Sequence, residues 1–353
     1  MRSFRVHDEV APRSTRLQDQ PERWRREMAG LGEAARHAGV IYAVFVHGTF
    51  VGTDPFSLLS SIQRLYPRMD NGVVSRVGVL WRTATSQLNR DRGNFQPGYV
   101  KLFAESTSVP ASLFVWSSEN THGARLNAAA QLAYHISARL DELKGGERGR
   151  VLLVGHSHAG QIFALLLQML TECSHAPTLL RLAGELGEDI DWLKMHLHQL
   201  QRREVDVVTL GTPARYGWPA PSHERILHIV NHRGPEPMGG RLDGVLTTRD
   251  GDYIQQWGVA GSDLPSTSAS LKRINTELDE VLGLGHDPRK WLQNLEHRKR
   301  VHEGGHTMLV DYGDQSTSGP NCIATNFGHS IYTRRRTMRF WMRVAAQRLY
   351  SLA

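Results

Sequence analysis

The ten residues Val151-Leu152-Leu153-Val154-Gly155-His156-Ser157-His158-Ala159-Gly160 decide how this chain is read. Their apolar start has the length and composition of a strand buried on both faces, as in the middle of a parallel sheet. Residues 161–170 are apolar nearly all round, which predicts a buried helix directly afterwards. A serine on so sharp a strand-to-helix turn needs small neighbours two positions before and after it, because strand and helix converge there. Gly155 and Ala159 meet that need. The same turn aims the serine Oγ at the mouth of the sheet and the next backbone N–H at the helix N-terminus. Ser157 is therefore the candidate nucleophile and the N–H of His158 a candidate oxyanion donor. The side chains of His156 and His158 are expected to point away from Oγ and to pack against or line the pocket.

Working outward, β-branched runs at 40–46, 113–116, 205–210, 226–230 and 308–310 alternate with helical patterns. The region 120–143 carries a helical stripe at Ala128, Leu132, Ile136 and Leu140. Such alternation predicts an α/β fold with a mostly parallel central sheet flanked by helices. With 353 residues, the motifs spread over one domain at 40–353, preceded by a helical extension at 1–39. Three stretches, at about 51–110, 174–203 and 264–305, exceed what a simple connection needs; the second and third read as helical and are candidates for a lid or cap. Upstream, Ile41-Tyr42-Ala43-Val44-Phe45-Val46-His47-Gly48-Thr49 ends a strand in HGT. A glycine there lets the backbone curl toward an acyl oxygen, which makes the Thr49 N–H the second oxyanion candidate, with His47 bracing the loop.

With these two motifs and Leu210-Gly211-Thr212-Pro213 after the next strand, the chain resembles the α/β-hydrolase superfamily, in its lipase and esterase branch. The resemblance spans roughly 40–332. It implies a nucleophile, acid, base order along the chain, with an oxyanion hole made by the N–H groups of His158 and Thr49. It assigns the base to His329, in Asn326-Phe327-Gly328-His329-Ser330. The acid falls in the stretch after the 226–230 strand, where Asp243, Asp250, Asp252 and Asp263 all lie. Asp252, in Gly251-Asp252-Tyr253, best resembles the family's Gly-Asp turn, and Asp263 is the alternative. The implied activity is cleavage of a small-molecule or lipid carboxylic ester through an acyl-enzyme, with no metal or organic cofactor. The same machinery also serves acyltransferases, amidases and thioesterases, and hydrolase folds also occur as non-catalytic binding proteins. One departure stands out: 211–224 leaves little room for the helix that usually follows this strand.

Other signals weigh less. His302-Glu303-Gly304-Gly305-His306 matches the HExxH zinc pattern, but two adjacent glycines cost a helix about 1 kcal/mol each and a strand pattern follows at once. His196 and His198 read as a helical surface pair. Cys173 and Cys322 are too few and too far apart for a disulfide framework. No apolar stretch has the form of a signal peptide or membrane span, so a soluble, cytoplasmic protein is expected.

The net charge of +7 resolves onto 334–353, which holds six arginines and no acid; outside it 36 bases face 35 acids. No nucleic-acid module is expected from that balance. The terminal helix is expected to dock through Met338, Trp341, Met342, Ala345, Leu349 and Leu352, with Arg336, Arg339 and Arg343 solvated. Phe340 and Val344 fall beside that stripe and leave room for weak contact with an anionic membrane surface.

Overall fold

The computed structural model describes residues 5–10, 21–48, 95–143, 149–233, 248, 251–257, 268–282, 301–313, 325 and 327–350. Among these, the strands are Arg5–Val10 (β1), Val40–Val46 (β2), Ala111–Phe114 (β3), Arg150–His156 (β4), Glu204–Leu210 (β5), Ile226–Asn231 (β6) and His306–Asp311 (β7). The helices are Pro21–His37 (α1), Pro97–Thr107 (α2), His122–Glu142 (α3), Ala159–Leu170 (α4), Ala176–Glu185 (α5), Ile190–Gln201 (α6), Tyr253–Trp257 (α7), Ala269–Val281 (α8) and Arg335–Leu349 (α9). All strand pairs are parallel, in the order β1-β7-β6-β5-β4-β2-β3. The expected α/β architecture, a parallel central sheet with flanking helices, is the observed one.

Parallel strands need crossovers, and those crossovers cover both faces. On one face, Val44, Val46, Leu153 and Val207 pack under α3 and α4. On the other, Phe45, Leu152, Val154 and Val208 pack under α1, α2 and α9. There Phe45 meets Phe103 edge-on at 4.9 Å, and Phe103 stacks on Trp341, whose Nε1 donates to Tyr99 at 2.9 Å. Burying each such ring contributes on the order of 1.5–3 kcal/mol.

Several expectations change shape. Residues 1–39 are not wholly a helical extension: 5–10 form an edge strand on β7, and α1 packs into the body against α2 and α9. The stretch 174–203 is helical as predicted, forming α5 and α6, which lie on α4 and α3 and share their apolar core through Leu179, Leu182, Leu193 and Leu197. From 264–305 the described helix is α8. It is anchored where α3 begins: Asn275 Oδ1 accepts the Gly123 N–H at 3.0 Å, and Asp279 pairs with His122 at 2.8 Å and Arg215 at 3.2 Å.

The short 211–224 connection does lack a full helix, holding only the 3₁₀ segment Ala220–Arg225. Aromatic and imidazole side chains cover the sheet in its place. His228 stacks on His302 at 3.8 Å, and Trp218 packs on both.

The buried side of α9 is wider than a single stripe. Phe340 and Val344, expected beside it, are buried, and so is Arg339, expected in solvent. The reason is that α9 is walled by α1 as well as by the sheet: Glu27 takes both Arg339 and Arg343, the latter at 2.9 Å. Leu352 lies outside the described residues.

Candidate active site

The chain runs from β2 to β3 on one side and then returns to β4 on the other side of β2, so the strand order reverses between β2 and β4. Ligands of open α/β sheets bind at the carboxyl ends of strands beside such a reversal. His47 and Gly48 follow β2, and Ser157 follows β4.

Ser157 holds a backbone φ of 57°, in the left-handed region that a non-glycine residue enters at a cost of about 1–3 kcal/mol. The neighbouring chain enforces it. The Ser157 N–H donates to the Leu210 carbonyl at 3.0 Å, and its own carbonyl accepts from Thr212 Oγ1 at 2.7 Å and from the Gly160 N–H at 3.2 Å. A Cβ added to Gly155 would stand 2.5 Å from the Phe163 ring and 3.1 Å from the Ala159 Cβ, so the small residues are required by contact. The Ser157 side chain is wholly buried, and its Oγ makes no hydrogen bond among the described residues.

Gly48 lies against this serine. A Cβ there would come within 2.5 Å of Ser157 Cβ and 3.2 Å of its Oγ. His47 braces the loop: Nδ1 donates to the Gly48 carbonyl at 2.9 Å while Nε2 accepts the Trp116 N–H at 3.3 Å. Those two bonds specify the neutral Nδ1–H tautomer, and burial pushes the imidazole below its ordinary range. Thr49 lies outside the described residues. His158 is buried at the N-terminal boundary of α4.

The other two candidates meet at the neighbouring strand ends. Asp252 is reached from β6, its N–H donating to the Asn231 carbonyl at 2.9 Å, and the Tyr253 N–H donates to the Phe327 carbonyl at 2.9 Å. Across that junction His329 Nδ1 donates to Asp252 Oδ2 at 2.7 Å. Both side chains are buried. The alternative acid, Asp263, together with Asp243 and Asp250, lies outside the described residues.

Four residues given no role by sequence reasoning complete the arrangement. Tyr332 OH donates to Asp252 Oδ2 at 2.8 Å, and the Gln255 N–H donates to Oδ1 at 2.9 Å. Asn231 Nδ2 donates to the Gly328 carbonyl at 3.0 Å, and Thr212 holds Ser157 as described. His156 does more than pack: its Nε2 donates to the His329 carbonyl at 3.0 Å and the two rings lie 4.5 Å apart, which ties the nucleophile strand to the His329 loop. Thr212 lies in the Leu210-Gly211-Thr212-Pro213 motif and Tyr332 three positions after His329, but neither place in the sequence announces its partner.

The HExxH residues take up other work. Residues 303–305 form a bend, with Gly304 and Gly305 at φ 104° and 79°, and His306 opens β7. His302 Nε2 donates to the Thr212 carbonyl at 3.0 Å, and His306 Nε2 lies 3.3 Å from Glu224. No group of three or more metal-ligating side chains occurs among the described residues. His196 is buried against Tyr134 and Trp192 rather than on the surface, while His198 is exposed. No described helix is long and apolar enough to cross a membrane.

No protein-family model matches the chain, and no curated protein or solved structure matches it either.

Proposed function

We propose that this protein is a serine hydrolase of the α/β-hydrolase type that cleaves carboxylic esters. The observation that carries the reading is the serine held at φ 57° between a central strand and a buried helix, beside a loop junction where a histidine donates to a buried aspartate. A strained left-handed serine at a sheet's carboxyl edge is costly, and such strain persists where it holds a reactive group in a required position.

In the proposed cycle His329 Nε2 takes the proton of Ser157 Oγ, and Oγ attacks the acyl carbon. The developing oxyanion is received by the N–H groups of His158 and Thr49. As the tetrahedral adduct collapses, the C–O bond to the alcohol breaks and the alcohol leaves with the proton from His329. Water then attacks the acyl-enzyme with His329 again as base, releasing the acid and restoring the serine. Asp252 keeps the imidazole in the Nδ1–H tautomer and faces the positive charge it gains.

The test is a chain-length series of aryl esters on wild type and Ser157→Ala, run beside a fluorophosphonate probe. The expected result is a covalent label on Ser157 and hydrolysis lost in the variant. Hydrolysis surviving in Ser157→Ala, or a wild type that takes no label, would refute the reading.

A further inference from the structure

We propose that Tyr332 is a positioning residue for the acid and base of this site, its hydroxyl fixing the aim of the Asp252 carboxylate and drawing charge from the oxygen that faces His329. The proposal rests on the hydrolase reading for its purpose, but its physical content is a property of the folded protein.

The direction of the hydrogen bonds leaves one arrangement. The Asn231 N–H donates to Tyr332 OH at 2.7 Å, which occupies the phenol as an acceptor. Its single proton then goes to Asp252 Oδ2 at 2.8 Å, the same oxygen that receives His329 Nδ1 at 2.7 Å. Two donors on one carboxylate oxygen share its charge, so strengthening one weakens its hold on the other. The Asn231 N–H extends from the end of β6, which makes the tyrosine a strut between the sheet and the carboxylate.

The ring itself has no slack. A Cβ on Gly211 would stand 2.4 Å from Tyr332 Cε2 and 2.8 Å from Asp252 Oδ2, so the backbone after β5 presses on both partners. Thr337 Oγ1 donates to the Tyr332 carbonyl at 2.8 Å. The ionisable groups facing this junction are His156 from β4, 5.9 Å from the Tyr332 ring, Tyr312 just after β7 at 5.7 Å, and Asp252 and His329 themselves. Burial, reinforced by the Asp252 charge, holds the phenol well above its ordinary range, so it stays a donor throughout the working pH range.

The experiment follows the His329 ring by NMR titration in the full chain, the signal being assigned by its loss in His329→Gln. Three proteins are compared: wild type, Tyr332→Phe, and Tyr332→3-fluorotyrosine, which keeps both hydrogen bonds but donates more strongly. The expected result is a His329 midpoint that rises by about one pH unit in Tyr332→Phe, as the carboxylate charge concentrates on His329, and falls in the fluorinated protein. Midpoints that stay fixed in both, or that move in the same direction, overturn the proposal. Because Tyr332→Phe leaves the Asn231 N–H without its acceptor, the fluorinated protein carries the test should the first variant not fold. Fluorophosphonate labelling of wild-type Ser157 judges the hydrolase reading separately, since the titration needs no turnover.

Discussion

His329 Nδ1 and Asp252 Oδ2 lie 2.7 Å apart although 77 positions separate them in sequence. One sits after β7 and the other after β6, so only the assembled sheet, with these strands side by side, brings them together. A buried imidazole donating to a buried carboxylate fixes its own tautomer, and in the proposed cycle Nε2 is then the nitrogen that serves as base.

From that pair comes the first prediction. Asp252→Asn presents an amide where His329 needs an acceptor and favours the wrong tautomer; kcat for an aryl ester is expected to fall on the order of 1000-fold or more. Asp263→Asn is expected to retain wild-type kcat. Steady-state kinetics on both variants discriminate the two acids, and the reverse ranking would move the role to Asp263.

Gly48→Ala tests the loop opposite the serine. Its methyl group would fall 2.5 Å from Ser157 Cβ, and either the loop or the serine must yield. Turnover is expected to drop by about 100-fold or more, because the oxyanion donors are displaced, with stability lowered by about 1–3 kcal/mol from overpacking. Kinetics together with a urea melt check it; an active Gly48→Ala enzyme would show that this loop does not approach the acyl oxygen.

Acid sensitivity follows from the imidazole stack over β5 and β6. Burial lowers His302 to about 4, and burial together with neighbouring His302 pushes His228 well below its ordinary range. Each donates from Nε2, and the Trp218 Nε1–H donates to His302 Nδ1, so a second proton on His302 has no acceptor in the folded state. The folded value is depressed, so this stability is fully present above pH 6.5 and is lost as pH falls through 4, by about 3 kcal/mol for His302. Urea midpoints at pH 7.5 and 4.5 should differ less in His302→Gln than in wild type.

Asp206 has the opposite sign. Burial raises its carboxyl to about 6 even though Arg150 and Arg225 stand at 3.3 and 3.6 Å. A raised carboxylate contributes stability below the unfolded value of 3.8, and that contribution disappears as pH rises through 6. Relative to wild type, Asp206→Asn should therefore gain between pH 4 and pH 7.5, by up to about 3 kcal/mol, whatever its absolute stability. Parallel melts across that range would show no such drift if the two arginines fully offset the burial.

Much of the architecture was legible because parallel sheets are written in local patterns. The run 151–154, the two apolar faces of α3 and α4, and the small residues around Ser157 each follow from short-range sterics and periodicity. Asp252 and His329 were singled out by the family resemblance rather than by local sterics, and the fold places the two in contact. What stayed hidden depends on distant partners. Nothing near Arg339 announces Glu27, more than 300 positions away, so the sequence suggests a solvated basic face on α9 where Arg339 lies buried in a partly buried ion pair. His156 gave no hint that it would hold the His329 carbonyl, and the stack of Trp218, His228 and His302 in place of a helix joins three separate segments. The edge strand 5–10 escaped because Arg5-Val6-His7-Asp8-Glu9-Val10 has the composition of a charged terminus and becomes a strand only against β7.

That edge strand is also the most distant pairing among the described strands. Arg5 pairs with His306 and Val10 with Asp311, about 300 positions apart. Closing so long a loop costs more chain entropy than any pairing between β2 and β6, and such closures are slow. The margin at β1 and β7 should therefore be the last part of the sheet to form.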